Sequence, residues 1–356
     1  MGAFVDFSGL TLNPEEARAS ADLIFEAFKN KPELAQAHQV MTGVRMDKFI
    51  PILGHRPLVG KIDAGSCSNN DITDGIPVSQ KRWTPEMISA RLINCQDDLP
   101  ALIKFWRNKQ KSIDYRSEID NEYQAYVMDD TLNALTESAL RLASFGDPNE
   151  DTFANNGNLT NGTDKAYFTP IKGIWAQVIT DQALPTPLTY RYTITENSGI
   201  SKAAQLALAA DTGLNVLRNL YNNIDSRAFK MQNLAYQMTR SLFNNWQDFM
   251  EDKSLVFMLD RTEQGSTKWM YRGIPIIVRE DWDDTIRTYY DNGTTYYLPH
   301  RAWLTSINNI PIGTLDSSSL AELKSHFDLT TEKHYIKFAY NIDAKILLEY
   351  AFASAY

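Results

Sequence analysis

Five histidines, two cysteines and one acidic run are the residues of this 356-residue chain whose types could support catalysis or metal binding. The histidines are His38, His55, His300, His326 and His334. None is spaced four residues from another, and no HExxH occurs, so the spacing offers no helical zinc site. His326 and His334 stand in a polar stretch ahead of a strand and read as surface or hydrogen-bonded groups. Cys67 and Cys95 lack the CxxC partners of a zinc site and read as two free thiols. Gly54-His55-Arg56-Pro57-Leu58-Val59-Gly60-Lys61-Ile62 approaches a phosphate-binding loop. It places five residues between its glycines where the motif has four, and Ile62 offers no hydroxyl for magnesium. Glu280-Asp281-Trp282-Asp283-Asp284 suggests a cation loop. A calcium loop begun at Asp281 needs Gly sixth and Glu twelfth, and Ile286 and Asn292 stand there. The run reads as a solvated acidic loop between strands. No GxSxG elbow is present. No catalytic, cofactor-binding or metal-ligating residue stands out, and the chain reads as something other than an enzyme.

Composition is that of a globular protein: 43% hydrophobic, 22% charged and 11% aromatic, with 17 Tyr and 7 Trp. Tyr and Trp suit both cores and contact surfaces. The net charge of -9 gives no overall basic footprint for tight nucleic-acid binding. No basic segment followed by an apolar core opens the chain, and no apolar run is long enough to span a membrane, so folding in a reducing cytoplasm is expected. Asn158, Asn161 and Asn292 begin glycosylation sequons, read here as turn sequences.

The elements available to position these residues change character along the chain. Asn13-Pro14-Glu15-Glu16 starts a helix expected to run to Lys29. From Lys48 to Trp83, glycines punctuate short apolar pieces around polar Ser66–Asp71, the pattern of an extended two-stranded excursion or a long loop, for which leaning on a neighbouring copy is one physical resolution. A helix follows Asp97 to Lys109. The longest helical signal is Ser117–Ala143, with Leu135, Ala139 and Leu142 on its stripe, stopped by Gly146 and Pro148. Residues 148–165 read as loop, Ile171–Ile179 as a short helix and Tyr190–Thr195 as a strand. Ser201–Ile224 reads as one long amphipathic helix whose face includes Leu206, Ala210, Leu214, Leu217, Leu220, Tyr221 and Ile224. Asn233–Thr239 reads as a strand, with a helix after it through Trp246 to Glu251. Tyr271–Val278 reads as one strand, placed at an edge or a strand start by Pro275. Arg287–Tyr290 and Thr294–Leu298 flank Asn292-Gly293 as a hairpin, and Ala302–Ser306 and Tyr335–Tyr340 as further strands.

This order of elements resembles the major capsid proteins of tailed bacteriophages, the Hong Kong 97-type fold. Phe145-Gly146-Asp147, Tyr271-Arg272-Gly273-Ile274-Pro275-Ile276, Asp281-Trp282-Asp283, Ala302-Trp303-Leu304-Thr305, Asn309-Ile310-Pro311-Ile312-Gly313-Thr314 and Ile342-Asp343-Ala344-Lys345 are similar to that family, especially to phages of Bacteroides-like hosts. The resemblance implies an α+β fold divided into an N-terminal arm (1–45), an extended loop (46–95), a peripheral domain with a spine helix (96–196), an axial domain (197–327) and a return to the peripheral domain (328–356). It implies a shell subunit whose N-terminal arm and Lys48–Trp83 segment lie on other subunits, and which forms hexamers and pentamers and closes into an icosahedral head around double-stranded DNA. Portal and scaffold proteins would be its partners, contact with DNA would be non-specific, and no membrane or cofactor would be involved. Assembly would occur in the host cytoplasm and the protein would end in the virion. An encapsulin-like nanocompartment and an unrelated soluble enzyme are the other readings. Some family members cross-link a loop Lys to a neighbouring Asn; Lys61 lies in the corresponding region, but nothing marks its partner, and that chemistry is not expected here.

Overall fold

The computed structural model describes residues 31–44, 49–53, 78–95, 119–149, 159, 164–253, 259–261, 267–314, 324–328 and 333–356. The expected helices at 13–29 and 97–109, Lys61, Cys67 and the polar stretch 66–71 lie outside these residues, as does the Cys95 side chain.

In chain order the elements are α1 (Pro32–Ala37), β1 (Val40–Met41), β2 (Phe49–Leu53), β3 (Val78–Arg82), β4 (Glu86–Cys95), α2 (Ile119–Phe145), α3 (Ile174–Gln182), β5 (Tyr190–Tyr192), α4 (Lys202–Leu206), α5 (Thr212–Asn223), β6 (Leu234–Met238), α6 (Arg240–Asp252), β7 (Leu259–Arg261), β8 (Thr267–Tyr271), β9 (Ile274–Val278), α7 (Glu280–Tyr289), β10 (Ala302–Ser306), β11 (Ile312–Thr314), β12 (Lys324–Asp328), β13 (Lys333–Ala344) and β14 (Phe352–Ala355).

A mixed seven-stranded sheet runs β5-β14-β10-β6-β9-β8-β7. Its central strands alternate between two cores. Trp303 and Phe352 face one core with α2, α3 and α7; Leu304, Ala353, Tyr236 and Met238 face the other with α5 and α6. Alternation along a strand covered on both faces produces this division. The five-stranded sheet is built on β13, which pairs with β4 on one side and with β12 and β11 on the other; β1 adds to β11 in parallel. Its Tyr340 and Ile342 join the first core. Strands β2 and β3 form an antiparallel ribbon of their own.

The 27 residues of α2 make a rod ~40 Å long. Leu135, Ala139, Leu142 and Ala143 recur three and four apart on its buried stripe. It ends where Gly146 N–H donates to Leu142 O at 2.9 Å and Gly173 N–H donates to Gly146 O at 2.7 Å.

Several expectations are corrected. Ser201–Ile224 is two helices, α4 and α5, because side chains from elsewhere hold the backbone between them. Asn245 donates to Ala209 O (2.8 Å) and accepts from Gly213 N–H (2.7 Å), while Glu196 Oε1 accepts from Ala209 N–H (3.3 Å) and the Thr212 hydroxyl (3.2 Å). Gln205 is buried in place of Leu206, which is 54% exposed, because both ends of the Gln205 amide bond the backbone of Tyr296. Tyr271–Val278 is two strands, β8 and β9. Arg272 (φ 52°) and Gly273 (φ 79°) turn the chain between them, and a positive φ at both central residues marks a tight hairpin. Strand β9 lies inside the sheet and not at an edge, so of the two placements expected for Pro275 the strand start holds: it is the second residue of β9, and the ladder to β6 begins only at Ile276. The acidic run 280–284 opens α7, with its acids on the favourable end of the helix dipole and Trp282 and Asp283 buried. Arg287–Tyr290 therefore ends a helix, and only the Asp291–Tyr296 bridge remains of the expected hairpin. His326 and His334 stand within β12 and β13.

Candidate assembly surfaces

Two polar clusters contain the residue types that chemistry would need. In the first, Arg279 is 3% exposed and reaches three elements and the residue after α1. Its guanidinium donates to Asp281 (2.8 and 2.7 Å), Gln237 Oε1 (2.6 Å) and Ser144 Oγ (3.2 Å), and approaches His38 Nε2 at 3.4 Å. His38 Nδ1 faces Ile310 O at 3.0 Å, and Gln237 donates to Ala37 O at 2.8 Å. Burial, reinforced by the Arg279 charge, lowers the His38 pKa to about 3, so the ring is neutral. This network fastens the segment after α1 to α2, β6 and α7. Nothing in the sequence marked Arg279; its one local signal is Asp281 two residues on.

The second cluster places Ser241 Oγ 2.7 Å from His300 Nδ1, with His300 Nε2 2.8 Å from Gln205 O. Asn197 clamps the His300 backbone, accepting from its N–H and donating to its C=O. A nucleophile–base pair has this contact, but His300 is fully buried, so no substrate reaches the imidazole. Burial also lowers its pKa. The pair serves to lock the loop beneath α4 to α6. Among the described residues no group of His, Cys, Asp and Glu is placed to hold a metal ion.

The outward features are of another kind. The β2–β3 ribbon leaves the body at Trp83, which is buried against Gly313; a methyl group there would lie 2.7 Å from the indole. Lys81 at its base pairs with Glu349 and also donates to Ile346 O. Thr84 N–H donates to buried Asp343 at 2.8 Å, and Lys345 lies 3.4 Å from the same carboxylate. Burial raises the Asp343 pKa, and these partners oppose the shift. Phe49 is exposed on the ribbon. On β4, Ile88 and Ala90 pack against the first core while Met87, 70% exposed, and Ile93 point the other way. Leu184 and Leu188 are exposed on the loop after α3, where Asp181 holds the backbone N–H groups of Leu188 and Thr189. Ile200 and Leu206 are exposed beside α4. By contrast, residues 32–44, expected on a neighbour with the rest of the arm, bury Leu34, Ala37, His38 and Val44 in their own chain.

No family model and no curated protein matches the chain. Among solved structures it is similar to a chain of the satellite phage P4 procapsid that includes the size determination (Sid) protein. The TM-score is 0.50 at 10% identity, over 94% of this chain and 97% of that one. It is also similar to a chain of the cyanophage A-1(L) capsid, with a TM-score of 0.49 at 11% identity over 91% of this chain and 92% of that one. The SrpI encapsulin complex of Synechococcus elongatus gives 0.44 at 8% identity, over 89% of this chain and 84% of that one. Shared arrangement along nearly the whole length, at this identity, concerns the backbone path rather than any residue's role. The chain has the α+β, Hong Kong 97-type fold found in phage capsids.

Proposed function

We propose that the chain is the major capsid protein of a tailed bacteriophage, forming hexamers and pentamers that close into an icosahedral shell around double-stranded DNA. One observation carries this reading: a capsid-type fold over 94% of the chain leaves apolar groups uncovered on its ribbon and on the outer face of β4. Obligate assemblies bury large apolar areas, and a ribbon that packs on a neighbour adds area that a lone body cannot supply. The polar clusters are internal fasteners, which fits a structural protein rather than an enzyme. The division into arm, extended loop, peripheral domain, axial domain and return is part of the proposal, as are portal and scaffold partners, assembly in host cytoplasm and residence in the virion. The motif resemblance favours a phage of a Bacteroides-like host.

Electron microscopy of the purified chain tests the reading. Closed shells with both five- and six-fold capsomers are expected. A stable monomer at high concentration overturns it, and small uniform shells filled with host protein would replace it with a nanocompartment.

A further inference from the structure

The net charge of -9 hides one surface of the opposite sign. It lies where the end of α5, the 3-10 turn Ser226–Lys230 and the β8–β9 turn meet. Arg218, Arg227, Lys230 and Arg272 are all exposed there. Arg218 and Asn222 are four apart on α5 and share a face, and Arg272 donates to Asn222 Oδ1 at 3.2 Å. The Arg272 guanidinium lies 4.7 Å from the Tyr221 ring centre and 5.5 Å from that of Tyr271. Phe229, 42% exposed, packs on Tyr221 with ring centres 4.9 Å apart. Arg227 sits 3.8 Å above the Tyr350 ring.

The carboxylates nearby are already engaged. Asp225 takes Arg227 in a two-pronged contact at 3.0 and 2.7 Å, and Glu349 pairs with Lys81. No carboxylate among the described residues pairs with Arg218, Lys230 or Arg272. Three cations without counter-charge among the described residues, one of them already held over an aromatic ring, fit an extended polyanion. Exposed cations without carboxylate partners are the usual footprint of sequence-independent contact with a duplex backbone.

We infer that this patch is where the chain touches nucleic acid, with Arg218, Lys230 and Arg272 taking backbone phosphates. The inference rests on the shell reading for the source of the polyanion, a packaged duplex. Strong attraction over the whole inner surface would impede filling and release. A small cationic spot on an acidic subunit gives weak, sequence-independent contact, repeated once per copy.

The test is fluorescence anisotropy of a short labelled duplex with the full chain across a salt series. The wild type is compared with the triple variant Arg218→Gln, Lys230→Gln, Arg272→Gln. Each phosphate contact contributes about 0.9 to the slope of log affinity against log salt. The variant should lose about 2–3 from that slope and bind at least ~10-fold more weakly at low salt. An unchanged slope and affinity overturns the inference. Polyglutamate competing as well as duplex for the same three residues also overturns it, in favour of an acidic protein partner. A second measurement needs no variant: acetylation of Lys230 in the wild type should slow when duplex is added, and an unchanged rate counts against contact. Failure here is separable from failure of the shell reading. If shells form and the variant binds duplex like wild type, only this inference falls; if shells never form but the slope still drops, only the shell falls.

Discussion

The two large sheets differ in how far this chain completes them. The central strands of the seven-stranded sheet are closed on both faces by the chain's own helices, so every residue of β10 and β14 is buried. The five-stranded sheet is covered on both faces only at β11 and the end of β13, where Ile312–Thr314 and residues 339–344 are buried; along β4 the chain covers one face. There Ile88, Ala90 and Tyr340 meet the core, Ser138 and Tyr340 share a 2.6 Å hydrogen bond, and Met87 and Ile93 face outward. An antiparallel sheet tolerates one solvated face, but that face is ordinarily polar. The difference teaches where the molecule is self-sufficient and where, under the proposed shell function, a neighbour would complete it. Stability should reside in the first region and assembly in the second.

Four measurements would break or sharpen that contrast. Replacing Arg279 with Ala strands Asp281, Gln237 and His38, and breaking such a buried charge network costs about 3–5 kcal/mol. Denaturant unfolding of the free subunit should show this loss; a loss below ~1 kcal/mol would mean the self-sufficient region is not held by this network.

Asp283 gives a pH signature to the same region. Burial raises its pKa to about 6, although it accepts the Arg240 N–H at 2.7 Å. The folded chain therefore binds this proton more tightly than the unfolded chain. Its favourable contribution is full below about pH 4 and is lost as pH rises through about 6. Asp283→Asn should flatten stability against pH across that window and raise it at pH 7 by about 1–3 kcal/mol. Thermal unfolding between pH 4 and 8 reads it, and parallel curves for both proteins would refute the assignment.

Gly313→Ala tests how the ribbon joins the five-stranded sheet. The added methyl would press on the Trp83 ring, and overpacking of this kind costs about 1–3 kcal/mol. Faster proteolysis at the ribbon base is expected in the free subunit, with the wild-type rate if the indole simply moves aside.

The smallest effect on stability should accompany the largest effect on assembly. Met87→Lys with Ile93→Lys should change unfolding of the subunit by no more than about 0.5 kcal/mol, as exposed substitutions usually do. Shell yield by light scattering should nevertheless collapse; normal yield would show that the outer face of β4 is not a contact.

Local periodicity was enough for α2, α3, α6 and β10, because each is long or regular enough for its own pattern to decide. The paired ends of the Lys48–Trp83 excursion were half legible: glycine and apolar spacing there allowed two strands or a long loop, and the pairing of β2 with β3 decides for strands. What failed depended on distant partners. The break between α4 and α5 is imposed by Glu196 and Asn245. The acidic run became a helix start because burial of Trp282 against Trp175 and Trp303 outweighs its solvation as a loop. The basic patch stayed hidden because the β8–β9 turn reaches α5 only through the fold, where Arg272 meets Asn222 and Tyr221 some fifty positions away.

By itself the sequence determined the class of each strongly periodic element and the absence of any spacing that demands chemistry, because both depend on neighbours a few residues away. Tertiary structure alone decided which polar residues are buried, where α4 stops, which face of β4 stays bare and which cations gather. Those outcomes are set by contacts between residues tens to hundreds of positions apart, and such contacts leave no local pattern to read.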